Sequence, residues 1–187
     1  MKFSHAIRFI LNAVKVAVFL LIICDLACAT GTDQSDAWQL DGFARPPDAK
    51  PVIVPKRDSV FVERPGSNPV LWEALHTFNP AAIVRRGKIY VLYRAEDDSG
   101  ENKIGGHASR IGLAQSRDGI HFERQREPVL YPSDDDQKPR EEKGGCEDPR
   151  IVETENGSYV MTYTQWNHST YDTAVASSSD LRQWTKT

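Results

Sequence analysis

The stretch Cys-Glu-Asp-Pro-Arg-Ile-Val at residues 146–152 decides the fold, because it repeats the shape of Phe-Asn-Pro-Ala-Ala-Ile-Val at residues 78–84. Each stretch places a polar residue, Asp148 or Asn79, directly before a proline and an apolar run. Proline restricts the residue before it to extended backbone, so we expect both polar residues to be extended at the start of a strand. Two equivalent positions in two copies of one unit predict a shared pocket.

The landmarks after each stretch recur in the same order. Runs of β-branched and aromatic residues between glycine-containing turns indicate strands. Four strands in a unit that recurs at about 62–70 residues are typical of β-propeller blades. We therefore predict an all-β chain, with a β-sandwich as the alternative. The landmarks of the first unit are a turn at 86–87, strands at 89–93 and 111–114 and a turn at 116–119, and those of the second are a turn at 156–157, strands at 159–163 and 174–176 and a turn at 179–181.

The number of units limits what the chain can build. A propeller closes with about 4–8 blades, and residues 71–187 hold about two. We therefore expect these residues to be part of a larger domain. Residues 30–70, rich in Pro, Asp and Ser, read as a lead-in with short strands at 52–54 and 60–62.

The N-terminus has the pattern of a secretory signal at residues 1–29: a basic start, an apolar run at 16–23 and Ala-Cys-Ala at 27–29. The apolar run is too short to cross a bilayer, and Asp25 follows it closely. The pattern predicts export to the periplasm or the extracellular space with no stable membrane span. A lipid anchor on Cys28 is the weaker alternative.

Composition excludes one class of partner and offers no metal site. The net charge is −3, and the basic residues are interleaved with acids, whereas a nucleic-acid surface needs a basic stripe. The histidines show no metal-ligand spacing, so we predict no metal. Once the signal is removed Cys146 is the remaining cysteine, and we interpret it as a small buried residue rather than a nucleophile. Nothing in the sequence indicates the oligomeric state.

The predicted pocket brings together polar side chains from both units. Asn79 and Asp148 start the innermost strands, Arg94 ends the next strand, and Arg110 precedes the third. Amide, guanidinium and carboxyl groups are the donors and acceptors that bind sugar hydroxyls. Alternation along a strand predicts that Glu147 faces away from Asp148, whereas Arg150 shares its face.

Over residues 70–187 the chain resembles glycoside hydrolase family 130, the mannoside phosphorylases and related mannosidases. The stretches that carry the resemblance are Phe-Asn-Pro-Ala-Ala at 78–82, Tyr-Val-Leu-Tyr-Arg-Ala-Glu-Asp at 90–97, Ser-Arg-Ile-Gly-Leu-Ala at 109–114, Ser-Arg-Asp-Gly at 116–119 and Gly-Cys-Glu-Asp-Pro-Arg at 145–150. The Ser-Arg-Asp-Gly turn is shared by several five-bladed glycosidase families, and the other stretches are more specific.

The resemblance implies a five-bladed β-propeller, of which this chain holds about the first two blades, and an inverting reaction on a mannose-containing oligosaccharide. By motif position Asp148 is the implied proton donor, acting through a substrate hydroxyl, and Asn79 and Arg94 are sugar contacts. Arg110 and Arg150 are further expected contacts. In phosphorylases inorganic phosphate is the co-substrate and no other cofactor is needed; in mannosidases water takes its place. The residues that decide between the two fall mostly beyond Thr187.

Two further readings stay open at this point. A non-catalytic carbohydrate-binding propeller would use the same side chains, with Asp148 only accepting hydrogen bonds. Trp166 and His168, in the loop after the second strand of unit two, are expected substrate contacts. Packing between blades is the alternative for Trp166.

Overall fold

The computed structural model describes residues 47–103 and 105–187, together with residues 42, 44 and 45. The predicted signal at 1–29 and the first part of the lead-in lie outside the described residues. Residues Lys50–Thr187 form one compact unit, so the later part of the expected lead-in packs with the predicted blades. Among the described residues, no helix has the length and hydropathy needed to cross a membrane.

The described chain is almost entirely β-structure, as predicted. A small antiparallel pair comes first, formed by β1 (Val60–Phe61) and β2 (Val70–Leu71). The strand expected at residues 52–54 is absent, because residues 52 and 53 form bends and residue 54 is irregular. One short helix, α1 (Lys138–Glu141), precedes the second unit.

Each predicted unit is an antiparallel meander of four strands. The first unit consists of β3 (His76–Arg85), β4 (Lys88–Glu96), β5 (Ser109–Ser116) and β6 (Glu123–Arg124). The second consists of β7 (Gly145–Glu153), β8 (Tyr159–Trp166), β9 (Tyr171–Ser178) and β10 (Thr185–Lys186). The predicted order of strands and turns is therefore confirmed.

The two meanders join through the start of β7. Ser109 on β5 forms a parallel bridge with Gly145, whose φ is 109°. A Cβ on this glycine would lie 2.1 Å from the Ser109 carbonyl oxygen, so a larger residue would push the units apart. This close approach sets β3 and β7 side by side, which places Asn79 next to Asp148.

Both innermost strands carry the same irregularity. The register of β3 shifts between Phe78 and Ala81, and that of β7 shifts between Glu147 and Arg150. At the centre of each bulge the polar residue is left-handed, with φ of 45° at Asn79 and 50° at Asp148. The expectation of extended backbone before proline was therefore wrong. Asn and Asp tolerate this region best among non-glycine residues, which explains why these residue types occupy the two bulges.

The repeat extends into the buried interior. In unit one the Glu73 carboxylate accepts hydrogen bonds from the Tyr93 hydroxyl (2.8 Å) and from Arg124 (2.9 Å). In unit two Glu141 accepts from the Tyr163 hydroxyl at 2.7 Å, and Lys186 forms an ion pair with it. Each unit thus fastens a preceding segment to its second and fourth strands through a buried Glu, a Tyr and a cation.

Candidate functional site

Asn79, Arg94 and Asp148 converge where the two innermost strands meet. The Asn79 amide donates to Asp148 Oδ1 at 2.8 Å, and Arg94 Nη1 donates to the same oxygen at 3.2 Å. The Asp148 side chain is 35% exposed. Three of the side chains expected to converge therefore meet, and Asp148 is partly open to solvent.

Arg94 is the centre of this cluster, and its side chain is 9% exposed. Its Nε donates to the Ser109 hydroxyl at 3.0 Å. Its Nη2 lies 2.7 Å from Glu96 Oε1 and 2.8 Å from Glu147 Oε1. Its Nη1 binds Asp148, so one guanidinium contacts three carboxyl groups.

Glu147 lies beside Asp148, contrary to expectation. Strict alternation would send neighbouring side chains to opposite faces, but the left-handed turn at Asp148 breaks it, and both carboxyls reach Arg94. Burial raises the pKa of Glu147 above its ordinary value. The negative charges of Asp148 and Glu96 add to this effect, while Arg94 and a hydrogen bond from Ser109 oppose it.

A cavity of about 870 Å³ opens beside Asn79 and Arg94. Its wall includes Phe78, whose ring faces the Arg94 guanidinium at 4.6 Å. His76 also contributes, and its Nδ1 lies 2.8 Å from Glu96 Oε2. Apolar ring faces next to charged hydrogen-bonding groups suit a sugar, which presents both C–H faces and hydroxyls.

Arg110 does not join this cluster. It pairs with Ala95 in the β4–β5 ladder, so it occupies the face opposite to Arg94. Its Nη1 donates to the buried Asp97 at 2.6 Å, and its guanidinium lies 6.0 Å from the Phe61 ring centroid. The expected convergence with Arg94 was therefore wrong: alternation along the strand holds here and turns the side chain into the interior.

Arg150 also turns away from Asp148. The bulge separates the two residues, and Arg150 Nη1 donates to the carbonyl of Pro149 at 2.7 Å. The expected shared face was wrong for the same reason as the expected separation of Glu147. The cation that contacts Asp148 is Arg94 instead.

Trp166 and His168 lie on the loop side of unit two. The Trp166 indole donates to the Gly105 carbonyl at 2.8 Å and packs against Gly144, which agrees with a packing role between units. His168 is exposed, with its ring 5.8 Å from that of Trp166. Neither residue contacts the Arg94 cluster, and their roles in substrate binding stay predictions.

A cysteine nucleophile would need an accessible thiol, and a metal ion would need several ligands close together. Cys146 is fully buried, and burial raises its pKa well above the ordinary value of a thiol, which disfavours the reactive thiolate. Among the described residues, no group of three or more His, Cys, Asp or Glu side chains is placed to hold a metal ion.

Sequence reasoning missed Glu96, Ser109 and Glu147 as members of the cluster. Glu96 could have been found, because it lies two residues after Arg94 on one strand and so shares its face. Ser109 is its partner in the β4–β5 ladder. Glu147 gave no such signal, since its position depends on the bulge.

The chain is similar to proteins of one known family. The model of glycoside hydrolase family 130, described as β-1,4-mannooligosaccharide phosphorylase, matches residues 49–187. The chain belongs to glycoside hydrolase family 130. The family's fold is a five-bladed β-propeller, of which this chain covers a part.

One curated relative is a 1,2-β-oligomannan phosphorylase from Thermoanaerobacter sp. (strain X514). It is 36% identical over 138 residues, which are 72% of this chain and 41% of the relative. A β-1,2-mannobiose phosphorylase from the same organism is 35% identical over 123 residues. The matched stretch is 60% of this chain and 38% of that relative. The chain thus spans about two fifths of the length of the curated relatives it matches.

Solved structures in the family are more similar. One was described as showing that the family-130 mannoside phosphorylases contain glycoside hydrolases that target β-1,2 mannosidic linkages in Candida mannan. It is 52% identical with a TM-score of 0.76, covering 81% of this chain and 42% of that one. A glycosyl hydrolase from Bacteroides ovatus is 50% identical with a TM-score of 0.76. The match covers 80% of this chain and 42% of that one.

Proposed function

We propose that the protein is an inverting enzyme that cleaves β-mannosidic bonds, with Asp148 as the proton donor and inorganic phosphate as the nucleophile. The observation that carries the proposal is the Asn79–Asp148–Arg94 cluster, in which a partly exposed carboxyl is held by two residues that line the neighbouring cavity. Family membership and both phosphorylase relatives support phosphate as co-substrate. We infer no other cofactor.

The proposed reaction combines proton donation by Asp148 with attack by phosphate. Asp148 delivers a proton, through a sugar hydroxyl, to the glycosidic oxygen as the C1–O bond breaks. A phosphate oxygen attacks C1 from the opposite face, which gives α-mannose 1-phosphate and the shortened sugar. The proton of hydrogen phosphate restores Asp148. Asn79 and Arg94 hold the reacting sugar, and cations supplied by the rest of the fold would bind the phosphate dianion.

The substrate we propose first is a β-1,2-linked mannooligosaccharide. Both curated relatives are phosphorylases of β-1,2-linked mannosides. The solved structure that is 52% identical was also described with β-1,2 linkages. The β-1,4 linkage named in the family description is the comparison substrate.

Hydrolysis is the second candidate, favoured by the same solved structure, because its description names glycoside hydrolases and its identity exceeds that of the phosphorylases. Export also favours hydrolysis, since a sugar phosphate made outside the cytoplasm is hard to recover. We propose export on the signal pattern at residues 1–29. N-terminal sequencing of the secreted protein would test it; a retained residue 1 would contradict cleavage.

The deciding experiment uses the longest gene product that contains this chain. Mannobioses with β-1,2, β-1,3 and β-1,4 linkages are incubated with and without phosphate, and products are identified by mass. Mannose 1-phosphate formed only with phosphate supports phosphorolysis. Free mannose in both conditions establishes the hydrolase. No product from any mannoside refutes the enzyme proposal and favours a carbohydrate-binding propeller.

A further inference from the structure

Glu147 makes contacts that the proposed reaction does not use. Its side chain is 12% exposed, and its Oε1 lies 2.8 Å from Arg94 Nη2. The same nitrogen lies 2.7 Å from Glu96 Oε1. Because Nη2 is bound on two sides, the guanidinium plane is fixed and Nη1 is directed at Asp148.

The repeat provides an independent sign that this contact is built. Glu147 stands one residue before the left-handed Asp148, and Phe78 stands one residue before the left-handed Asn79. Both preceding residues contact Arg94: Phe78 through its ring face at 4.6 Å and Glu147 through its carboxyl. Each bulge therefore brings one residue, Phe78 or Glu147, against Arg94. The left-handed polar residues of the two bulges bind each other.

The charges around Arg94 do not balance if all its partners are ionised. Glu96, Glu147 and Asp148 would together carry three negative charges against one guanidinium, in a cluster whose Arg94 and Glu96 side chains are less than a tenth exposed. His76, on the far side of Glu96, is itself more than half exposed. Like charges at this distance disfavour ionisation of one member.

The surroundings of Glu147 favour its uncharged form. Burial is the largest cause that raises its pKa, and the charges of Asp148 and Glu96 act in the same direction against Arg94 and Ser109. An uncharged carboxyl still accepts a hydrogen bond from Arg94 through its carbonyl oxygen. It would hold the guanidinium without adding a negative charge beside Asp148.

We propose that Glu147 is a positioning residue that holds Arg94 against Asp148 through an uncharged carboxyl. The inference rests on the proposed function, in which Asp148 and Arg94 act on a mannoside. It differs from that proposal because Glu147 itself touches neither the sugar nor the reacting bond.

The kinetic test compares variants of the full-length enzyme on its best mannobiose. Glu147→Gln keeps an uncharged acceptor, so kcat should stay within about threefold of wild type. Glu147→Ala releases Arg94 and should lower kcat by about 10–100-fold, as misplacement of a positioning group does. Glu153→Ala, an exposed position on the same strand, is the matched control and should change neither kcat nor KM.

Coupling to Arg94 separates positioning from general destabilisation. In an Arg94→Ala background, Glu147→Ala should cause no further loss of kcat, because interacting residues are not additive. Losses that multiply in the double variant would overturn the proposal. So would a folded Glu147→Gln enzyme that is as impaired as Glu147→Ala, since the charged form would then be required.

A second readout needs no turnover. In a carbon-13 NMR titration, with the signal assigned by its absence in Glu147→Gln, Glu147 should lose its proton at a higher pH than the exposed glutamates. An exposed glutamate has a pKa of about 4.3. If the wild type cleaves no mannoside, the proposed function fails while this titration still decides on Glu147. Ionisation of Glu147 together with exposed glutamates would overturn the inference.

Discussion

Replacement of Arg94 by methionine should destabilise the protein in a manner that depends on pH. The substitution keeps much of the apolar stem but removes the cation from Glu96, Glu147 and Asp148. A buried carboxylate left without its partner is costly, so one carboxyl takes up a proton instead. At pH 7 that proton costs about 1.36 × (7 − 4.3), or about 3.7 kcal/mol, for a glutamate.

The other two carboxyls add little to this figure. The pKa of Glu147 is already raised, and the Asp148 side chain is 35% exposed, so solvent screens its loss to less than about 1 kcal/mol. We therefore expect the free energy of unfolding to fall by about 3–4 kcal/mol at pH 7. At pH 5 the same proton costs about 1.36 × (5 − 4.3), or about 1 kcal/mol, and the deficit should shrink accordingly.

The direction of this pH dependence follows from linkage. In the variant the folded protein binds a proton that the unfolded chain releases, so lowering the pH stabilises the variant relative to wild type. Denaturant unfolding at pH 7 and pH 5 measures the difference. Arg150→Met, at an exposed arginine in the same bulge, should change stability by less than about 0.5 kcal/mol. An Arg94→Met deficit that is equal at both pH values would refute the electrostatic reasoning.

Three further predictions concern the interior of the two units. Tyr93→Phe and Tyr163→Phe each remove a hydrogen bond to a buried carboxylate, so each should lower the free energy of unfolding by about 1.5–3 kcal/mol in denaturant titrations; a neutral result in either unit would contradict the repeated buried cluster. Gly112→Ala places a Cβ 2.4 Å from Tyr93 Cζ and should cost about 1–3 kcal/mol by overpacking, with an unchanged melting temperature as the contrary result. Burial raises the pKa of Cys146, so peptide mass mapping should find it unalkylated by iodoacetamide in the native protein and alkylated after denaturation; rapid native labelling would show that the thiol is accessible.

Much of the fold was readable because it depends on local patterns. The hairpin at Asn156-Gly157, the run of β-branched and aromatic residues in β8 and the apolar run in β9 indicate strands without help from distant contacts. The repeat then identified Asn79 and Asp148 as equivalent positions. Their contact at 2.8 Å shows that a comparison within one sequence can locate a pocket before any coordinates exist.

The remainder of the site depends on backbone geometry that local rules misjudge. The rule that a residue before proline is extended fails at Asn79 and Asp148, where φ is positive. This single departure moved Glu147 into the site and Arg150 out of it. The prediction for Arg110 was wrong for a different reason. Its face of the sheet is set by pairing with Ala95 in the ladder, and the spacing of arginines in the sequence does not specify that register.

The most direct test of the central claim is the rate of β-1,2-mannobiose cleavage by Asp148→Asn in the longest gene product that contains this chain. The variant keeps the size of the side chain but cannot donate the proton, so kcat should fall by about 10²–10⁴-fold. Asp172→Asn, an exposed position on β9, should retain wild-type activity. A wild-type enzyme that turns over while Asp148→Asn keeps its full rate would contradict the assignment of Asp148 as the proton donor.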